Sequence, residues 1–183
     1  TRKESSAASD VYKRQPSSYP RALDDPQTGL TGFGQGQVTA TPLQIAMVAA
    51  GIANEGVVMN PRLVDTVIGN DLSVIRSYDD TQFGHATDAT IADQITASMV
   101  ASVSNGAAQG ARIDGVDVAG KTGTTENGNK PYTLWFTGFA PADDPEVAVA
   151  VLVEDGGGQG QSGSGDTIAA PIAKKVIEAV LGR

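Results

Sequence analysis

The chain has 183 residues, 40% of them apolar, which suffices for one ordinary domain with a buried core and excludes wholesale disorder. Thirteen basic residues against 21 acidic ones give a formal net charge of -8, which argues against a general nucleic-acid-binding domain, whose affinity rests on neutralising phosphates. With no cysteine and a single histidine, disulfides, thiolate metal sites and His-rich metal sites are excluded, and no metal or cofactor is expected. No apolar run approaches the ~20 residues needed to cross a bilayer.

Residues 1–19 are rich in Ser and charge and have no apolar period, so they read as a disordered arm or as foreign sequence joined to a domain at 20–183. The body opens on a turn-rich stretch, Asp24 to Gly29, and continues through Gly32-Phe33-Gly34-Gln35-Gly36-Gln37. A helix is expected from Pro42: Thr41 can cap it, proline is tolerated at the first helical position, and Gly56 ends it. Leu63 to Ile68 and Leu72 to Ser77 read as short strands around the hairpin signal Gly69-Asn70-Asp71. A second helix is expected over Thr90 to Ser104, capped by Asp88, with Ile91, Ile95, Met99 and Val103 at steps of four. Three strands follow, at Val116 to Thr125, Leu134 to Ala140 and Val147 to Val153. The last is nearly all Val and Ala, which places it centrally with both faces covered. Asp155 to Asp166 reads as a polar loop outside the core. A closing helix, Ile168 to Leu181, is expected to turn Ile172, Val176, Ile177 and Val180 to one side. Short connections between adjacent strands mean an antiparallel meander, so the fold class is α+β: an antiparallel sheet flanked by helices.

Three features could carry chemistry. Gly115 to Thr122 matches the phosphate-loop pattern G-x-x-x-x-G-K-[ST], yet its middle positions alternate like a strand and no helix can follow it, because Gly123, Asn127-Gly128-Asn129 and Pro131 come next. Nucleotide binding at 115–122 is therefore a remote alternative. Read as a strand, Lys121-Thr122-Gly123-Thr124 ends an apolar run with a cation, two hydroxyls and a glycine, a set that suits a peptide carboxylate at a cleft edge. A surface strand end that merely holds a lysine is the other reading. His85 has no G-x-S-x-G elbow to serve and reads as a solvated or capping histidine.

Taken together, Gly34-Gln35-Gly36, Thr41-Pro42-Leu43-Gln44, Val118-Ala119-Gly120-Lys121-Thr122-Gly123-Thr124 and Trp135-Phe136-Thr137-Gly138-Phe139-Ala140-Pro141 resemble the penicillin-binding protein transpeptidase domain. The likeness is to the class B, actinobacterial type and runs from about Tyr19 to Leu181. The resemblance implies a fold of the serine β-lactamase type, with a five-stranded antiparallel sheet between helices. It further implies a serine D,D-transpeptidase that cross-links peptidoglycan stem peptides ending in D-Ala-D-Ala and is trapped by β-lactams. Carried over residue by residue, Lys121 would supply positive charge and help organise proton transfer. Thr122 and Thr124 would hydrogen-bond the substrate carboxylate, Gly123 would let the substrate backbone approach, and the Thr124 backbone N–H would form half of the oxyanion hole. The resemblance places the enzyme on the extracytoplasmic face of the cell membrane, held by an N-terminal anchor absent from these residues, with no nucleic acid involved.

No S-x-x-K and no S-x-N occurs anywhere in the 183 residues; Ser102-Val103-Ser104-Asn105 only comes near the second pattern. The nucleophilic serine is therefore absent, and the expectation is the C-terminal part of a transpeptidase domain, inactive alone and exposing the apolar stripe of residues 43–53. A non-catalytic β-lactam-sensing or peptide-binding module on the same scaffold, or a serine β-lactamase, is the alternative.

Overall fold

A computed structural model of the chain describes residues 16–183. The stretch read as an arm lies mostly outside them; in its described end, Ser18 pairs antiparallel with Thr39 and the Tyr19 hydroxyl meets Thr31 Oγ1 at 2.9 Å. The chain divides into two compact units, one ending at Ile45 and one spanning Ala46–Arg183.

In the first unit a helix, α1 (Asp25–Thr31), stands where the sequence reads only as turns. Its signals are local. The Asp24 carboxylate accepts from Gln27 N at 2.8 Å, satisfying one donor that a helix start leaves open, and Pro26 sits in the first turn. Gly34 and Gly36 follow with φ of 76° and 79°, left-handed values that only glycine adopts without strain. Helix α2 (Pro42–Ala53) begins as expected, with Thr41 Oγ1 accepting from Gln44 N at 3.2 Å; the unit boundary falls inside it.

The second unit continues through β1 (Val57–Met59), β2 (Thr66–Ile68), β3 (Val74–Ser77) and β4 (Gln82–His85). Strands β2 and β3 form the hairpin expected around residues 69–71, and β1 pairs with β4. Asp71 Oδ1 accepts from both the amide and the hydroxyl of Ser73, at 3.1 and 2.6 Å, and closes the hairpin turn. Helix α3 (Ala89–Ser104) starts at Asp88, whose carboxylate accepts from Ile91 N at 2.9 Å, and stops at Asn105.

Strands β5 (Ala119–Asn127), β6 (Lys130–Ala140) and β7 (Val147–Val153) form one antiparallel sheet in that order. Among the described residues this sheet has three strands, where the resemblance implies five. Within the described residues β6 is the central strand and β7 lies at the edge, where a central place is expected from its composition. The Val/Ala composition of β7 reflects two partly covered faces: Val147, Val149, Val151 and Val153 pack on one layer and Ala148 on the other. Such a run therefore reports burial on both faces, not strand order.

On the first face, a π-turn (Gly165–Ala169) leads into α4 (Ala170–Val180). Ala169, Ala170, Ala173 and Ile177 are fully buried there, against Phe136. This corrects the expected stripe, because Ile172, Val176 and Val180 are 44%, 42% and 55% exposed. Small alanines let the helix approach the sheet closely, so they set the buried side in place of the larger residues. On the second face, Ala119 and Phe139 pack against Ala49 of α2 and Met99 of α3.

Segment 155–166 also departs from expectation. Gly156, Gly163 and Gly165 are buried despite the polar composition around them. A Cβ on Gly165 would stand 2.5 Å from Trp135 O and 3.0 Å from Gly123 O, so a bare backbone is needed for this segment to lie against β5 and β6. The interior part supplies backbone, and its polar side chains stay outside.

Candidate active site

Four consecutive residues of β5, Lys121 to Thr124, carry the motif, and pairing with β6 fixes their directions. Lys121 stands opposite Thr137, Thr122 opposite Phe136, Gly123 opposite Trp135 and Thr124 opposite Leu134. The register is regular here and shifts only between Thr125 and Asn127. Strand alternation therefore holds through the motif. Lys121 and Thr137 face the α2–α3 side, while Thr122 lies with buried Phe136 on the α4 side. No irregularity at Gly123 gathers the two sets onto one face.

Lys121 borders a groove of about 640 Å³ whose apolar floor is built by Ala49 and Ile52 of α2 and by Ile95 and Met99 of α3. Among the described residues it is the sole charged member of that lining. Its ammonium donates to Thr122 O at 2.6 Å, and its side chain is solvent-exposed. Apolar walls of low dielectric focus the field of a single cation, so an anionic group entering the groove is drawn to this point.

The other motif residues hold the strand. Thr122 Oγ1 donates to Ala107 O at 3.1 Å, tying β5 to the segment after α3. A Cβ on Gly123 would sit 3.3 Å from Trp135 Cβ, so the strand is tight over the indole. Thr124 is exposed. Strand β5 is at an edge of its sheet, which offers alternate backbone N–H and C=O groups to an extended peptide.

The sequence reading passed over several groove residues. Gln94, Ser98 and Ser102 of α3 line it at steps of four, a polar ladder beside the apolar one at Ile91, Ile95 and Met99. That spacing was the available signal. Thr137 joins them through its pairing with Lys121.

The competing features separate from this groove in their geometry. Asp114 and Gly115 form a turn closed by the Ile113–Val116 bridge, Asp117 and Val118 lead on from it, and Gly120 to Thr122 lie inside β5. No helix N-terminus follows Lys121, which removes the arrangement a phosphate loop needs and overturns the nucleotide-binding alternative. His85 ends β4, exposed, with Nδ1 3.2 Å from Thr87 O. Among the described residues no cluster of three His, Cys, Asp or Glu could hold a metal ion, and no helix is long and apolar enough to cross a membrane.

Comparison with known proteins gives one family. Residues 13–178 match the model of the penicillin binding protein transpeptidase domain. Over 163 residues the chain is 45% identical to the peptidoglycan D,D-transpeptidase PbpA of Mycolicibacterium smegmatis, covering 87% of this chain and 33% of that protein. Among solved structures, penicillin-binding protein A from M. tuberculosis in its ceftriaxone acyl-enzyme complex is similar with a TM-score of 0.84 at 41% identity, over 90% of this chain and 38% of that one. Its imipenem acyl-enzyme complex gives a TM-score of 0.80 at 41% identity, over 90% and 36%. The chain thus spans a third or less of the length of the curated relatives it matches.

Proposed function

The chain belongs to the penicillin-binding protein transpeptidase family, and from that premise we propose that it is part of a D,D-transpeptidase which cross-links peptidoglycan stem peptides by serine acyl transfer and is acylated by β-lactams. The observation that carries this reading is the placement of Lys121 to Thr124 on an edge strand, with the ammonium as the sole charge that the described residues bring to the adjoining groove. The names of the relatives support it: one is a peptidoglycan D,D-transpeptidase, and another was captured as a β-lactam acyl-enzyme.

In this reading the attacking serine comes from sequence outside the 183 residues, which contain no S-x-x-K and no S-x-N. The serine oxygen bonds to the penultimate D-Ala carbonyl, and the terminal D-Ala leaves as its amine with a proton returned to nitrogen. An amino group of a second stem peptide then displaces the serine and forms the cross-link. Lys121 supplies charge toward the substrate carboxylate and steadies the proton-transfer network. The Thr124 backbone N–H faces the carbonyl oxygen as charge develops on it, where one such donor typically contributes about 10²–10³ in rate. Gly123 gives the peptide backbone access to the strand. The Thr122 hydroxyl lies on the α4 side, bonded to Ala107 O, so to join the carboxylate it must both leave that bond and turn round the edge of β5 toward Lys121. The reaction takes place outside the cytoplasmic membrane, the anchor lying in sequence beyond these residues.

The test is labelling by a fluorescent penicillin. The longer protein that carries this chain should take one covalent label, mapped to a serine outside residues 1–183, and the 183 residues alone should take none. A label on a serine of this chain, or none on the longer protein, would contradict the reading.

A further inference from the structure

The loop between β7 and α4 reaches back over the turn that joins β5 to β6, and the geometry points to Gln161 as a positioning residue for acylation. This rests on the transpeptidase reading above. The turn at residues 128–129 is the direct continuation of the strand that bears Lys121 to Thr124, so its place sets the far end of that strand. Gln161 Nε2 donates to Gly128 O at 2.7 Å and to Lys130 O at 3.0 Å. Both partners are carbonyl oxygens, so the amide must present its NH₂ group, and one nitrogen uses both hydrogens to hold the two sides of the turn.

The surrounding bonds divide the work. Asn127 Nδ2 donates to Pro131 O at 2.8 Å and Thr133 Oγ1 at 3.1 Å, which shapes the hairpin from within. Gln161, with a backbone bond from Tyr132 N to Gly160 O at 3.2 Å, fixes the hairpin to the loop. Four residues further on, the same loop presses Gly165 against Gly123 O and Trp135 O. One loop therefore holds β5 at two points, at Gly123 inside the motif and at the turn beyond Asn127. Thr124 lies between them. Releasing the far point leaves the segment that carries the Thr124 N–H held only by its pairing with Leu134 and Thr133 of β6, while Lys121 stays on the fixed side of Gly123. Donors to a developing oxyanion work only when held in place, so the acylation step should suffer and initial binding should not. Gln161 is exposed, so its loss leaves the fold intact.

The experiment uses the longer protein with its serine and a fluorescent penicillin, with non-covalent affinity and the acylation constant separated by varying its concentration. Gln161→Ala should lower the acylation constant about tenfold, with affinity changed by less than about twofold and the melting temperature unchanged. Gln161→Glu keeps the size but lacks a donor at neutral pH. It should be impaired at least as much at about pH 7.5 and recover relative to wild type as the pH falls to about 4, where an ordinary glutamate carboxyl gains an O–H. Gln161→Arg restores N–H donors and should recover most of the rate. Wild-type acylation by Gln161→Ala overturns the inference, and so do Glu and Arg variants equally impaired with no recovery at low pH. That second pair decides the matter if the alanine variant melts early. A wild-type protein that takes no label overturns the transpeptidase reading and this one with it, whereas a labelled wild type matched by Gln161→Ala removes only the clamp.

Discussion

The two faces of the three-stranded sheet differ sharply. On the α4 side, Leu134, Phe136, Ala169, Ala170, Ala173 and Ile177 are all completely buried. On the α2–α3 side, packing around Phe139 gives way to an open groove at Lys121 and Thr137, where Val48 and Ile91 remain 47% and 46% exposed. Strand β5 belongs to both. Gly120 and Thr122 look to the sealed side and Lys121 to the open one, so the alternation of one strand divides a short motif into a part that anchors and a part that meets solvent. A closely packed layer behind an edge strand resists displacement, and that rigidity is what an exposed charge needs to act at a fixed point.

Four substitutions test this division, taken from the largest expected effect to the smallest. Phe136→Ala removes the centre of the sealed side and should lower stability by about 3–5 kcal/mol in thermal or urea unfolding. A loss below about 1 kcal/mol would mean that this layer is not what supports β5. Gly165→Ala drives a Cβ toward Trp135 O and Gly123 O, both backbone, and should cost about 1–3 kcal/mol. β-Lactam acylation should fall with it, because the displaced backbone is that of the motif; acylation unchanged in a destabilised variant would uncouple the two faces. Asp88→Ala removes the cap of the helix that walls the groove and should cost about 1 kcal/mol, read as a lower melting temperature.

The smallest effect lies in the β2–β3 hairpin and should leave the groove untouched. Hydrogen bonds from the hydroxyl and then the amide of Ser73 hold the Asp71 carboxyl below its ordinary value. A depressed folded value means that the Asp71 contribution is present above the unfolded pKa and fades as pH falls through the folded one. Ser73→Ala removes the larger cause, so NMR titration should find the Asp71 midpoint raised toward the ordinary carboxylate value. An unmoved midpoint would discount the hydroxyl.

Much of this was legible in the sequence because it is local. Thr41-Pro42, Asp88 and the turn at residues 69–71 each announce a boundary by cap or turn chemistry, and the structure places helices and a hairpin there. Helix α1 could have been found from the same kind of signal, Asp24 followed by Pro26. What was missed depends on partners remote in the chain. The edge position of β7 cannot be told from a Val/Ala run that is covered on both sides. The buried side of α4 follows its alanines because the sheet lies close, a fact outside the helix itself. The interior glycines of segment 155–166 share their composition with an exterior polar loop, and only the approach of Gly165 to Trp135 O distinguishes them. For the candidate site, the motif residues and their alternation were readable, but the polar ladder Gln94, Ser98 and Ser102 needed the groove to give it meaning.

The role of the Lys121 ammonium is tested most directly by the acylation rate of Lys121→Ala in the longer protein, measured with a fluorescent penicillin alongside a thermal melt. The expected result is a loss of about 100-fold or more in acylation with the melting temperature unchanged, since the ammonium is exposed and supports no core contact. Acylation at the wild-type rate by a folded Lys121→Ala protein would contradict it.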